Sequence, residues 1–280
     1  MSDLPGRLVL LGHPVAHSLS PAFQNAALRG AGSPLRYEAL DVPPEALAAT
    51  WALLRGERAA GNVTIPHKEA VARLCDRLTP LALRVGAVNT FWCEGEIAVG
   101  DNTDVGGFDA AVRELLGDAL AGRRVAVIGA GGSAAAVLAA LERWPGSAAA
   151  VWSRTAERAA ALAARFAAVA SAVERLADAL RDADLVVNAT PVGLRTDDVP
   201  VPLALLRRSA AVVDLVYRRD GPTPWVRQAR ARGLRATDGL PMLVEQGALA
   251  FERWLGRAPD RAAMWAAVRE AGAVPERAGS

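Results

Sequence analysis

RRVAVIGAGGSA, Arg123 to Ala134, is a short apolar run that breaks into glycines and then continues as an alanine-rich helical stretch. The run reads as a strand, Arg123 to Gly129. Gly129 and Gly131, the first and third residues of GAGGSA, let the backbone turn and approach a pyrophosphate, and the following helix offers its free amides and the positive end of its dipole. A tight turn that merely needs glycine is the plainer alternative. The strand before and the helix after favour a dinucleotide site.

Similar strands recur outward from this stretch. Ala148 to Ser153 (AAAVWS), Asp184 to Thr190 (DLVVNAT) and Ala210 to Val216 (AAVVDLV) are apolar runs separated by helical sequence, the alternation of a doubly wound parallel sheet. A helix over Val105 to Leu116 precedes the series. Toward the N-terminus, strands at Arg7 to Gly12, Leu35 to Val42 and Ala60 to Ile65 are each followed by a helix, opening at Pro21, near Pro44, and over Lys68 to Leu78. This order argues for a second, parallel α/β sheet. Ala87 to Trp92 and Glu96 to Gly100 flank Glu94 and Gly95 as a hairpin. The reading gives a first domain over residues 1–104, a dinucleotide domain over 105–239, and C-terminal helices (Pro241 to Leu255, Asp260 to Glu270) that are too short to fold alone and pack back on the first domain.

The end of the second strand of the dinucleotide domain selects the cofactor. An NAD site places an acidic residue there to accept the ribose hydroxyls. This chain has Ser153, Arg154 and Thr155, with Arg158 one turn later. Guanidiniums cannot accept from a hydroxyl but bind a 2′-phosphate through charge-assisted hydrogen bonds, so NADP is expected. As mere surface charges at a helix start, both arginines would oppose the dipole.

Lys68 is the only lysine among 32 basic residues, the remainder being arginine. Arginine stays protonated at any accessible pH, whereas lysine can give up a proton, so a single retained lysine reads as a general acid or base. Drift on a solvated face would explain it equally well if it stood alone. Asparagine is also scarce: of five, Asn62, Asn89, Asn102 and Asn188 fall at the ends of apolar runs, in GNVTIP, GAVNT, GDNTD and VVNATPVG. Turn geometry accounts for some of these. Ligands of open α/β sheets lie beyond the carboxyl ends of the strands. Those ends carry Ser18, Ser20, Asn62, Thr64, Lys68, Asn89 and Asp104, mostly donors with one carboxylate, a set suited to a small polyhydroxylated anion. Ser20 before Pro21 also reads as an ordinary helix cap.

Composition limits the alternatives. The chain has 280 residues, 52% of them apolar, and a net charge of +2 with no basic stripe, so it is expected to be a globular protein of two domains that does not bind nucleic acid. Cys75 and Cys93 have neither the spacing nor the neighbours of a zinc or redox site, and no metal is expected. His13 and His17 read as capping or packing residues of the loop before Ser18, and Pro14 makes a helical metal pair implausible. No apolar run approaches the ~20 residues of a membrane span, and the initial run is too short for a signal-peptide core, so a cytoplasmic location is expected. The oligomeric state is open, a homodimer being one option.

Together, GHPVAHSLSP, NVTIPHK, GAVNT, GDNTD, GAGGSA, NATPVG and DGLPMLVEQGALAF, in this order over residues 12 to 251, resemble the shikimate dehydrogenase family. The resemblance implies an α/β substrate domain joined to a doubly wound Rossmann NADP-binding domain, and reversible NADP-linked reduction of 3-dehydroshikimate to shikimate in aromatic amino-acid biosynthesis. By position, Ser18 and Ser20 match the serines that hold the substrate carboxylate. Asn62, Thr64, Asn89, Asp104 and Gln246 match the ring-hydroxyl contacts, with Tyr217 toward the carboxylate end. Lys68 and Asp104 match the catalytic pair. Gly129, Ala130, Gly131, Gly132, Ser133, Ala134, Ser153, Arg154, Thr155 and Arg158 match the NADP-binding segments, while Asn188, Thr190 and Gly239 fall on the nicotinamide side.

Three features depart from the family pattern: His67 where phenylalanine is common, Ser153 in place of an asparagine, and YRRDGPT (Tyr217 to Thr223), one residue longer than usual. Three rival readings remain. An NAD-using quinate/shikimate dehydrogenase paralogue conflicts with Arg154 and Arg158; a non-catalytic NADP-binding regulator has no use for the Lys68 and Asp104 pair; a methylene-tetrahydrofolate dehydrogenase-like enzyme has none for the HSLSP serines.

Overall fold

The structure is a computed structural model, and it describes residues 4–273. Two compact units divide the chain, one taking in everything up to Gly107 and from Leu243 onward, the other Phe108–Met242. The first unit contains β1 (Leu8–Gly12), α1 (Ser20–Gly30), β2 (Tyr37–Asp41), α2 (Leu47–Gly56), β3 (Ala60–Val63), α3 (Lys68–Leu74), β4 (Arg77–Leu78), α4 (Pro80–Val85), β5 (Thr90–Glu94) and β6 (Ile97–Asp101). α5 (Asp104–Leu116) leads out of it. The second unit holds β7 (Arg124–Ile128), α6 (Gly132–Leu141), β8 (Ala148–Trp152), α7 (Ala156–Arg165), β9 (Ala170–Ala172), α8 (Leu176–Leu180), β10 (Leu185–Asn188), β11 (Ala211–Asp214), α9 (Pro224–Ala231) and β12 (Ala236–Thr237). α10 (Leu240–Leu255) leads back, and α11 (Arg261–Ala273) follows and packs on α1.

The first sheet runs β2-β1-β3-β5-β6-β4. β1 pairs in parallel with β2 and β3, as the βαβ order requires. The hairpin makes the rest of the sheet mixed: β5 lies antiparallel to both β3 and β6. Central β1 and β3 are buried at every position, while β2 is largely exposed, as an edge strand should be. The expected helix from Lys68 to Leu78 stops at Leu74. Cys75 turns to extended backbone, and Asp76 is captured by Ala98: its N–H donates to the Ala98 carbonyl (2.9 Å) and its carboxylate accepts from the Ala98 N–H (2.7 Å), which starts β4. α4 then opens at Pro80, capped by the Thr79 hydroxyl. Val9, Leu11, Trp51, Leu54, Val63, Val71 and Phe91 form the core between this sheet and its helices. Each large side chain so buried contributes about 1.5–3 kcal/mol.

The second sheet runs β12-β11-β10-β7-β8-β9 with every pairing parallel. This is the doubly wound arrangement, in which the strand order reverses direction at β7. α6 is buried from Ala134 to Leu141, and its alanines allow close approach to β7 and β8. Ile128, Val186, Val212 and Trp225 centre the other core. Among the described residues no helix is long and apolar enough to cross a membrane.

Candidate active site

In the first unit, polar groups converge where β1, β3 and the β5–β6 hairpin meet α3, α5 and α10. Lys68, the first residue of α3, donates from Nζ to Asp104 Oδ2 at 2.6 Å. The pair is shielded, with 18% of the lysine side chain and 6% of the aspartate exposed, so its attraction is stronger than at a free surface. Asp104 opens α5, where the helix dipole favours a carboxylate. Asn89 Nδ2 lies 2.9 Å from Asp104 Oδ1, 2.9 Å from Thr103 Oγ1 and 3.0 Å from Gln246 Oε1. Its two hydrogens are thus shared among three acceptors. Asn89 Oδ1 accepts from the Thr103 N–H at 2.7 Å, which aims the amide. Gln246, on α10, is oriented by its own Nε2 bond to the Leu243 carbonyl, 2.7 Å.

The supporting residues lie just outside this group. Asn62 is buried; its Oδ1 accepts from the Tyr37 hydroxyl at 2.8 Å, and its Nδ2 donates to the Asn89 carbonyl at 3.1 Å. Its amide therefore braces Asn89 and keeps one N–H for a ligand. Thr64 is half-buried, its backbone tied to Leu11 (2.8 Å), and its hydroxyl makes no bond among the described residues. Gly12 is needed opposite it, because a Cβ there would lie 2.3 Å from Thr64 Cγ2. His67 is buried beside Lys68, with its ring Nε2 2.6 Å from the Val42 carbonyl, so it anchors the start of α3 to the end of β2. Asp101, buried at the end of β6, accepts from Arg253 Nε at 3.0 Å and fastens α10 to the sheet.

Ser20 is not the helix cap that its position before Pro21 suggests. Leu19 occupies the cap position without a side-chain bond, and the Ser20 N–H is taken by Ser18 Oγ at 3.2 Å. Ser20 is buried, and its hydroxyl has no partner among the described residues. Tyr217 belongs to the second unit, half-buried two residues after Leu215.

The second unit has a glycine turn that opens onto the uncapped start of α6. Gly129 has φ +115°, and a Cβ on it would lie 2.7 Å from the Ala189 carbonyl, so only glycine fits. Space is open in front of Gly131, the residue preceding α6. The helical ladder begins at the bond from Ala135 N to Gly131 O (3.0 Å), with no side-chain cap, and so leaves the N–H groups of Gly132, Ser133 and Ala134 directed outward beside Ala130. Ser153 Oγ accepts from the Thr155 N–H at 3.3 Å and shapes the turn after β8. Arg154 and Arg158 are exposed at the start of α7 without an ion pair among the described residues. Gly239 is squeezed against Leu215, whose carbonyl would lie 2.4 Å from a Cβ.

Asn188 departs from the expectation of cofactor contact. It is fully buried, and its amide is consumed by Asp214 Oδ1 (2.8 Å), Val192 O (3.2 Å), Thr190 N (3.0 Å) and Thr190 Oγ1 (2.6 Å). It shapes the Thr190 loop from within. Tyr37, Thr103 and Asp214 carry no comparable signal in the sequence; only the occurrence of Thr103 within GDNTD hints at any of them.

A doubly wound unit with a glycine turn before α6 and an exposed arginine pair after β8, in one chain with an α/β unit bearing a shielded Lys–Asp pair, is the arrangement of a two-unit dinucleotide-dependent oxidoreductase. Family models narrow this further: the shikimate dehydrogenase substrate binding domain matches residues 10–91, shikimate/quinate 5-dehydrogenase residues 111–196, and the shikimate 5′-dehydrogenase C-terminal domain residues 239–269. An NADP(+) shikimate dehydrogenase of Thermus thermophilus is 45% identical over 95% of this chain and 98% of its own. A shikimate 5-dehydrogenase of the same species, solved with NADP(H) and shikimate, superposes with a TM-score of 0.84 at 44% identity, covering 95% of this chain and 99% of its own. A quinate dehydrogenase from Corynebacterium glutamicum, solved with NAD, gives 0.81 at 30% identity over 94% of this chain and 97% of its own. The chain belongs to the shikimate dehydrogenase family.

Proposed function

We propose that this protein is an NADP-dependent shikimate dehydrogenase that interconverts 3-dehydroshikimate and shikimate. The Lys68–Asp104 pair, held by Asn89 beside Gln246, is the observation that carries the reading. Bound NADPH supplies a hydride to the ketone carbon. The oxygen of that ketone then needs a proton, and Lys68 Nζ donates it. Asp104 keeps the ammonium aimed through Oδ2 and accepts from the substrate hydroxyl. In the oxidative direction Lys68 takes the proton back. Asn62, Thr64, Asn89 and Gln246 bind the ring hydroxyls, while Ser18 and Ser20 bind the carboxylate.

The cofactor fits the residues present. The outward amides of Gly132 to Ala134 suit a pyrophosphate, and the exposed Arg154 and Arg158, with Ser153 and Thr155, suit a 2′-phosphate. Thr190 and Gly239 border the nicotinamide, with Asn188 shaping that loop from behind. The NAD-linked quinate reading loses support from the same two arginines. A cytoplasmic location and a homodimeric assembly complete the proposal, the latter testable by light scattering.

Shikimate deuterated at C3, the carbinol carbon that becomes the ketone, tests the chemistry. Incubation with NADP⁺ should yield 3-dehydroshikimate and deuterated NADPH by mass spectrometry; no 3-dehydroshikimate would overturn the assignment.

A further inference from the structure

We infer that Asp214 is a positioning residue for hydride transfer, a buried carboxylate that aligns the Thr190 loop with the segment carrying Tyr217. The inference rests on the functional reading above, which places the Thr190 loop beside the nicotinamide together with Gly239, whose N–H is held by the Val216 carbonyl next to Tyr217.

Asp214 ends β11 and is fully buried. Its Oδ1 accepts from Asn188 Nδ2 at 2.8 Å and from the Val216 N–H at 3.1 Å. Its Oδ2 accepts from the Thr223 hydroxyl at 2.7 Å. Asn188 stands at the start of the loop after β10, whereas Val216 and Thr223 hold the two ends of the loop after β11. Asn188 holds Thr190 and Val192, as described above. Val216 directly precedes Tyr217, and its carbonyl accepts the Gly239 N–H at 2.9 Å. Thr223 ends the lengthened YRRDGPT segment and caps α9 through the Val226 N–H. One side chain therefore ties the loop after β10 to both ends of the loop after β11 and, through the Val216 carbonyl, to the turn after β12.

The group is also chemically specific. No cation pairs with it among the described residues, and burying a carboxylate without one is costly. Burial raises its pKa above the ordinary carboxylate value, the bonds from Thr223, Asn188 and Val216 pull it back only in part, and the nearby Asp238 carboxylate adds a smaller upward push. Three hydrogen-bond donors converge on its two oxygens, an environment that calls for acceptors. An apolar residue of the same size would fill the space and release both loops. Asparagine would keep the bonds from Asn188 and Val216 and could donate to the Thr223 oxygen.

The test measures kcat, the shikimate KM, NADP⁺ affinity and thermal midpoint for the full-length protein with Asp214→Leu and Asp214→Asn. Misplacing reacting atoms by about 1 Å costs about 10²-fold, and a loss of that size is expected in kcat for the leucine variant. NADP⁺ affinity should stay within a few-fold, because the amides before α6 and the two arginines are untouched, and asparagine should restore most of kcat. A leucine variant with wild-type kcat, or one in which NADP⁺ affinity falls in parallel with kcat, would overturn the inference. If that variant does not fold, Asn188→Ala and Thr223→Val cut the same bonds from the donor side. A fall in kcat in both, at retained NADP⁺ affinity, supports the inference; unchanged kcat in both overturns it. A wild-type protein inactive on shikimate would refute the functional reading itself, and the inference with it.

Discussion

Replacing Lys68 with arginine separates charge from proton transfer. The guanidinium keeps a cation beside Asp104 but does not give up a proton at accessible pH. Little else depends on the ammonium. The Lys68 carbonyl is held by the Val88 N–H at 2.9 Å, the Val71 N–H bonds the His67 carbonyl at 2.8 Å, and Asp104 keeps its 2.9 Å bond from Asn89. The fold should therefore persist, with NADP⁺ affinity unchanged and a thermal midpoint shifted by only a few degrees, roughly 2–4 °C per kcal/mol of perturbation in a chain of this size. General acid–base catalysis is worth about 10²–10⁴-fold, or about 3–5 kcal/mol of barrier, and kcat should fall by that amount. Lys68→Met serves as the control, since it also strips Asp104 of its cation and should cost more stability than arginine does. Steady-state rates from nicotinamide absorbance, measured beside a thermal melt, give both numbers. A Lys68→Arg enzyme whose kcat stays within a few-fold of wild type would remove the ammonium from the proton-transfer step.

Three further outcomes follow from the geometry. Arg154→Ala with Arg158→Ala should weaken NADP⁺ by about 1.5–3 kcal/mol per lost charge-assisted bond while NAD⁺ changes little, so the ratio of the two KM values is the readout and a parallel loss would argue against the 2′-phosphate role. Gly129→Ala should destabilise the protein and weaken the cofactor, because φ +115° and the 2.7 Å approach to the Ala189 carbonyl leave no room for a methyl; strain of this kind costs about 1–3 kcal/mol, and a wild-type denaturant midpoint would contradict it. Burial raises the Asp238 pKa, so the folded state holds that proton more tightly than the unfolded chain, and the associated stability is present below the unfolded pKa and lost as pH rises through the folded one. Asp238→Asn, which can still accept the Leu240 N–H, should accordingly gain stability relative to wild type as pH climbs through that window, and a pH-independent difference in unfolding free energy would refute this.

The parts of the molecule legible in the sequence are those governed by local chemistry. The glycines after β7 announce a turn only glycine can make, and the apolar runs of β1, β3, β10 and β11 announce strands covered on both faces. Short elements escape such a reading: β4, β9 and β12 span two or three residues, too few for any periodicity to register. The helix from Lys68 ends early, at Cys75, because its end is decided by the bonds between Asp76 and Ala98 on another strand. The site divides along the same line. Lys68 and Asp104 stand out by rarity and motif, and the structure joins them. Tyr37, Thr103 and Asp214 act by meeting partners from other strands, which no local pattern reports. Asn188 belongs to the expected loop but sits behind it.

The most direct test is the wild-type kcat/KM for shikimate and for quinate, each with NADP⁺ and with NAD⁺. The account predicts efficient turnover for shikimate with NADP⁺ and weak turnover for the other three pairs. Comparable efficiency with quinate or NAD⁺ would contradict it.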